Sequence, residues 1–357
     1  MFASHRSQQE KTGKSDMPWT IRLVAFSLIS LISLGASAAL AAEVNLYSAR
    51  KEQLIKPLLD RFTAETGIRV NLVTGKADAL LKRLKSEGIN SPADVLLTTD
   101  AGRLHRAKQV GVTQAVNDPE LKAAIPSAYR DPEGHWFGLS LRARPILYVK
   151  GQVDATKLSS YEQLADPMWR GRICIRSSGN IYNQSLVASM IAVNGVQATE
   201  QWAKQFVKNF ARPPRGGDRD QIKGAASGQC DIAIANTYYL AGMLLSKDPN
   251  ERSAAQRMVV FWPNQEDRGT HVNVSGAAVT RSAKHVDEAV KLIRFLTTPE
   301  AQAWYSQTNG EYPVRSDAPV SALLKSWGDF KADTLNLSQL GLRNPDAVML
   351  MDRAGWK

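Results

Sequence analysis

From Glu43 onward the chain alternates short β-like runs with amphipathic helical stretches, and no other feature restricts its fold as much. Residues 44–47 read as a strand, and 53–66 as a helix whose Leu54, Leu58, Leu59 and Phe62 share one face before Gly67 stops it. A strand at 68–73, a helix at 77–87 and a strand at 93–98 complete a βαβαβ series, the pattern of a mostly parallel sheet with helices on its faces. A second series follows, with a strand at 172–176, helices at 182–192, 200–209 and 221–226, the last capped by Asp220, and a strand at 231–235.

Two longer extended segments, 139–149 ("LSLRARPILYV") and 271–280 ("HVNVSGAAVT"), suit a pair of crossover strands joining two lobes of discontinuous chain; helices at 284–296 and 300–307 come after the second. At 357 residues the chain has the size of two domains. The expected division places 43–141 and 271–318 in a first α/β lobe, and 142–270 and 319–357 in a second with C-terminal helices. Sheets of this kind take their ligands at the carboxyl ends of the strands.

The apolar run at 21–40 follows a stretch carrying Arg6, Lys11, Lys14 and Arg22 and ends in small residues, Ala39 and Ala41 fitting the rule for signal peptidase. The expectation is a cleaved signal peptide over 1–42 and a periplasmic protein beginning near Ala42 or Glu43, with Met17 an alternative start to Met1. The run is interrupted by Ser and Gly, which leaves it short for a membrane span, and neither a lipid-anchor cysteine nor an arginine pair accompanies it. Loss of 1–42 takes four basic and two acidic side chains, lowering the formal charge from +11 to +9. The remaining Lys and Arg are scattered among acids and form no nucleic-acid-binding pattern, so no nucleic-acid partner is expected; the field favours an anionic ligand instead. Cys174 and Cys230, the only cysteines, would both enter an oxidising compartment, where a disulfide is expected.

The candidate chemistry lies in loops after second-lobe strands. The strand at 231–235 runs into Asn236, Thr237, Tyr238 and Tyr239, with Asn236 or Thr237 placed to cap the next helix; the strand at 172–176 runs into Ser177, Ser178, Gly179 and then Tyr182. Taken singly, each tyrosine is explained by half-buried packing. Together, three phenols at equivalent points of neighbouring units suit a hard trivalent cation, which draws phenol into its phenolate form. The Ser177 turn offers backbone N–H groups for a small anion. No nucleophile elbow, zinc-protease motif or phosphate-binding loop supports an enzyme.

Several strings bear a family likeness: "VNLYSAR" at 44–50, "SPADVLLTTD" at 91–100, "WFGLSLRAR" at 136–144, "CIRSSGNIYNQSL" at 174–186, "GGDRDQIK" at 216–223, "CDIAIANTYY" at 230–239 and "RGTHVNVSG" at 268–276. In this order they resemble the periplasmic ferric-ion-binding proteins of ABC iron importers, extracellular solute-binding proteins with the two-lobed type II, transferrin-like α/β fold and two crossover hinge strands. The resemblance implies that Tyr182, Tyr238 and Tyr239 bind iron(III), that Arg142 and Ser177 hold a synergistic anion such as carbonate or bicarbonate, and that Cys174 pairs with Cys230. It also implies a monomer that delivers ferric iron, free or as a small chelate, to an inner-membrane ABC permease. Many relatives read His-Tyr after "YSAR" and draw ligands from that loop, whereas this chain has Lys51 and Glu52, leaving Glu52 as a first-lobe candidate. Asp78 is set aside, because an acid at a helix start is accounted for by the helix dipole. An organic or oxyanion solute on the same scaffold is the alternative ligand.

Overall fold

The computed structural model describes residues 42–357, so the expected signal peptide lies outside the described residues except for Ala42. Among the described residues nine strands form: β1 Glu43–Ser48, β2 Arg69–Thr74, β3 Val95–Thr99, β4 Phe137–Ala143, β5 Ile146–Val149, β6 Ile173–Cys174, β7 Ile232–Ile234, β8 Met258–Phe261 and β9 Val272–Val279. They make two sheets, one in the order β2-β1-β3-β9-β4 and one in the order β6-β7-β5-β8. The βαβαβ reading holds for β1 to β3, which pair in parallel, while β9 enters antiparallel between β3 and β4. In the second sheet β6 and β7 are parallel and β5 runs antiparallel to β7 and β8.

Strand periodicity sends alternate residues to opposite faces. Ile232 and Ile234 of β7 and Ile146 of β5 enter one second-lobe core, against Leu186, Val187 and Met190 of the helix Ile181–Val207. Ala233 and Leu147 turn the other way, onto Ile222, Leu240 and Met243. In the first lobe, Val44, Leu46, Val95 and Leu97 enter the main core, while Tyr47 and Leu96 face Leu80 and Leu84. Each aliphatic side chain buried in this way contributes roughly 1.5–3 kcal/mol.

Four local expectations are corrected. The extended run at 139–149 is two strands, because Pro145 has no N–H to give a ladder; β4 pairs with β9 in the first sheet and β5 with β7 and β8 in the second. The helix expected over 53–66 begins at Lys56 after a short 3₁₀ turn at Glu52–Leu54, with Pro57 in its first turn, and ends at Gly67 in left-handed conformation (φ 73°). The helices at 182–192 and 200–209 run on as Ile181–Val207, broken by Gly195 at φ 79°. Asp220 sits inside the helix Asp218–Ala226, in its first turn, and accepts from the Gly217 N–H at 2.6 Å.

The chain after residue 318 divides its side chains. Leu324, Leu337 and Leu340 lie in the first core, whereas Ala347, Leu350, Met351 and Trp356 lie in the second. The disulfide Cys174–Cys230 is present, with Cα atoms 5.9 Å apart, and ties the end of β6 to the start of β7. By the chain-entropy account, closing a loop with sequence separation 56 stabilises the fold by about 4 kcal/mol.

Candidate functional site

Because β6 and β7 are adjacent and parallel, the segments leaving their carboxyl ends emerge side by side. After β6, the Asn180 side chain accepts from the Tyr182 N–H at 3.1 Å and starts the helix Ile181–Val207. After β7, the helix Thr237–Leu244 carries Tyr238 and Tyr239 in its first turn. Asn236 occupies its N-cap position without making a side-chain cap; its Oδ1 instead accepts from Arg144 Nη1 at 2.8 Å.

The three tyrosines line one cleft of about 590 Å³ together with Arg50, Lys51, Arg142, Arg219 and Glu311. The Tyr238 and Tyr239 rings lie 4.3 Å apart between centroids. The Arg142 guanidinium carbon stands 4.8 Å from the Tyr238 ring centroid and 5.9 Å from that of Tyr182, and Arg176 approaches Tyr182 at 5.8 Å. Arg142 is buried; its Nη2 donates to Glu311 Oε1 at 3.3 Å, while Nε and Nη1 find no hydrogen-bond partner among the described residues. A buried guanidinium with two free donors beside three phenols favours negative charge at that point.

The phenols differ in acidity. Burial pushes Tyr182 up, but the Arg142 charge and a hydrogen bond from Tyr238 outweigh it, leaving Tyr182 below the ordinary phenol value. Burial and the neighbouring Tyr182 hold Tyr238 well above that value, and the same two causes raise Tyr239. Tyr182 is therefore the most acidic of the three phenols, and negative charge on Tyr238 and Tyr239 is disfavoured without a compensating cation.

On the first-lobe side, Glu311 is buried and accepts from Arg50 Nη1 at 3.2 Å and Nη2 at 2.8 Å, and also from Ser140 Oγ. Burial raises its carboxyl, but Arg50 and Arg142 pull it down to about 2. This cluster was not anticipated from the sequence, since Glu311 stands in a short polar stretch with no motif around it.

Other expected positions fall elsewhere. Lys51 lines the cleft, but Glu52 is exposed in the 3₁₀ turn and is not among the lining residues. The Ser177 carbonyl accepts from the Asn180 N–H at 3.1 Å and from Asn183 Nδ2 at 3.2 Å, and the Ser178 N–H donates to the Lys357 carbonyl at 3.2 Å. Of the turn's N–H groups, that of Ser178 is taken up by the C-terminal carbonyl, and Ser177 is not among the residues lining the cleft. Asp78 is engaged by Arg103 at 3.0 Å and Arg106 at 3.4 Å. Among the described residues no group of three or more His, Cys, Asp or Glu could hold a metal ion.

Residues 90–332 match the family described as bacterial extracellular solute-binding protein. Iron uptake protein A1 of Synechocystis is 51% identical over 315 residues, covering 88% of each chain. A Trichodesmium protein (IdiA, FutA), solved in complex with iron and citrate, superposes with a TM-score of 0.87 at 50% identity, over 88% of this chain and all of that one. The ferric binding protein of Campylobacter jejuni superposes with a TM-score of 0.83 at 38% identity, again over 88% of this chain and all of the other. With its two α/β lobes and a cleft between them, this chain belongs to the bacterial extracellular solute-binding protein family, beside its iron-uptake and ferric-binding members.

Proposed function

We propose that this protein captures ferric iron in the periplasm on Tyr182, Tyr238 and Tyr239 and delivers it, as a monomer, to an ABC permease in the inner membrane. The observation that carries this reading is the convergence of the three phenols around the buried, half-partnered guanidinium of Arg142. Iron(III) is a hard cation that accepts three phenolate oxygens and offsets the negative charge they would bring together. The free donors of Arg142 suit a small oxyanion, carbonate or bicarbonate, completing the coordination. Lys51 and Arg50 face the same cleft as cations, so the first lobe supplies positive charge toward the anion while the metal ligands come from the second. Closure of the lobes over the loaded site would present the form that docks on the permease.

Purified protein mixed with ferric iron and bicarbonate is expected to develop a broad visible phenolate-to-iron charge-transfer band, and a variant with Phe at both Tyr238 and Tyr239 should lack it. Wild-type protein that stays colourless and retains no iron on desalting defeats the reading.

A further inference from the structure

The side chain that joins the two tyrosine-bearing segments is not a ligand candidate. Arg144 is 1% exposed and lies immediately after β4 and before Pro145. Its Nη2 donates to Asn183 Oδ1 at 2.6 Å, next to Tyr182. Its Nη1 donates to Asn236 Oδ1 at 2.8 Å, two residues ahead of Tyr238, and to Asp218 Oδ1 at 3.0 Å. Both arms are reinforced from behind. Asn183 Nδ2 donates to the Arg176 carbonyl at 2.8 Å, and Asp218 accepts from the Asn236 N–H at 3.1 Å and from Arg176 Nη1 at 2.6 Å. The Arg144 backbone meets the second crossover as well: its N–H donates to the His271 carbonyl at 3.1 Å, and its carbonyl accepts from Tyr161 Oη at 2.7 Å. Tyr161 Oη in turn accepts from the His271 N–H at 3.2 Å.

We propose that Arg144 is the positioning residue of the iron site, its planar fork holding the start of the Tyr182 helix and the Tyr238–Tyr239 turn in one mutual geometry and tying that geometry to the crossover between the lobes. The inference rests on the tyrosine reading above and adds to it a device that places the phenols. A guanidinium suits the task because its donors lie in one rigid plane and reach Asn183, Asn236 and Asp218 together; an ammonium keeps the charge beside Asp218 but cannot span all three. Partners that orient ligands from behind are worth about 10–100-fold in metal affinity.

The test uses the full chain as wild type, Arg144→Lys, Arg144→Gln, Asn183→Ala and Asn236→Ala. Ferric iron with bicarbonate is the probe, citrate the competitor, and the charge-transfer maximum and the apparent affinity are read together. Arg144→Lys should lose roughly 10–100-fold in affinity and shift or broaden the band, and each Asn variant, which frees one arm only, should show a smaller change of the same kind. A purely structural role would lower the unfolding midpoint and leave the affinity and band of the folded protein unchanged; that result in Arg144→Lys overturns the proposal. If neither Arg144 variant folds, the two Asn variants decide by the same criterion. If wild type itself gives no band, the tyrosine reading fails, and an iron-free crystal structure of Arg144→Lys still decides this one. Displacement of Tyr182 relative to Tyr238 supports it, and an unmoved pair refutes it.

Discussion

Replacing Glu311 by Gln keeps the side chain's shape and removes only its charge. The carboxylate lies between Arg50 at 2.8 Å and Arg142 at 3.3 Å, and all three residues are at most 6% exposed. Removing one side of a buried ion pair costs about 3–5 kcal/mol, because the remaining charge is left without its partner. The carboxyl provides a second route to the magnitude. Burial alone would raise it, yet Arg50 and Arg142 hold it at about 2 against an ordinary 4.5. At about 1.4 kcal/mol for each tenfold change in proton affinity, that depression stabilises the fold by about 3 kcal/mol. The folded value lies below the unfolded one, so this stabilisation is complete above an ordinary 4.5 and is lost as pH falls toward about 2. Urea unfolding of wild type and Glu311→Gln across a pH series measures it. The expected gap is roughly 3 kcal/mol near neutrality, steady down to about pH 5 and closing below that as the wild-type carboxyl protonates. A gap that stays constant to about pH 2, or one under about 1 kcal/mol at neutrality, refutes the charge-neutralising role.

Two further outcomes follow from the cleft. With Tyr238 and Tyr239 as the proposed ligands, iron binding would drive protons off two phenols raised above the ordinary value, so apparent ferric affinity should fall as pH falls, with more than one proton released per iron. Competition against citrate over a pH series measures the slope, and a flat dependence removes phenolate from the ligand set. Gly310, at φ 64°, lies so close to the tyrosine helix that a Cβ there would stand 2.6 Å from the Ala241 Cβ and 3.5 Å from the Tyr238 Cα. Gly310→Ala should therefore weaken iron binding and enlarge the loaded protein in small-angle scattering; unchanged affinity and unchanged dimensions contradict the idea that this close approach shapes the cleft.

Much of the fold was legible because its strands and helices follow their periods closely. Val44, Leu46 and Phe62 occupy the buried faces that spacing assigns them. The tyrosines could be picked out because each follows a strand that the pattern locates. Glu311 could not, since its partners Arg50 and Arg142 are 261 and 169 residues away and nothing local marks it as their counter-charge. Arg144 was hidden for the same reason, one arginine among many until Asn183, Asn236 and Asp218 close around it. The turn at Ser177 is visible in the sequence, whereas the packing of the C-terminal carbonyl onto the neighbouring Ser178 N–H is not. Pro145 was visible throughout, and its effect on the 139–149 run was missed because apolar alternation continues across it.

The place of β9 between β3 and β4 governs the order in which the molecule can be completed. While the chain grows, β4 has been made but has no sheet to join, because its neighbour arrives only at Val272–Val279, after every strand of the second lobe. The first lobe thus cannot close its sheet until the second lobe's chain exists, and pairing of high sequence separation is slow. Synthesis must therefore pass Val279 before a native first-lobe sheet is possible, so folding of this lobe waits on the chain of the other.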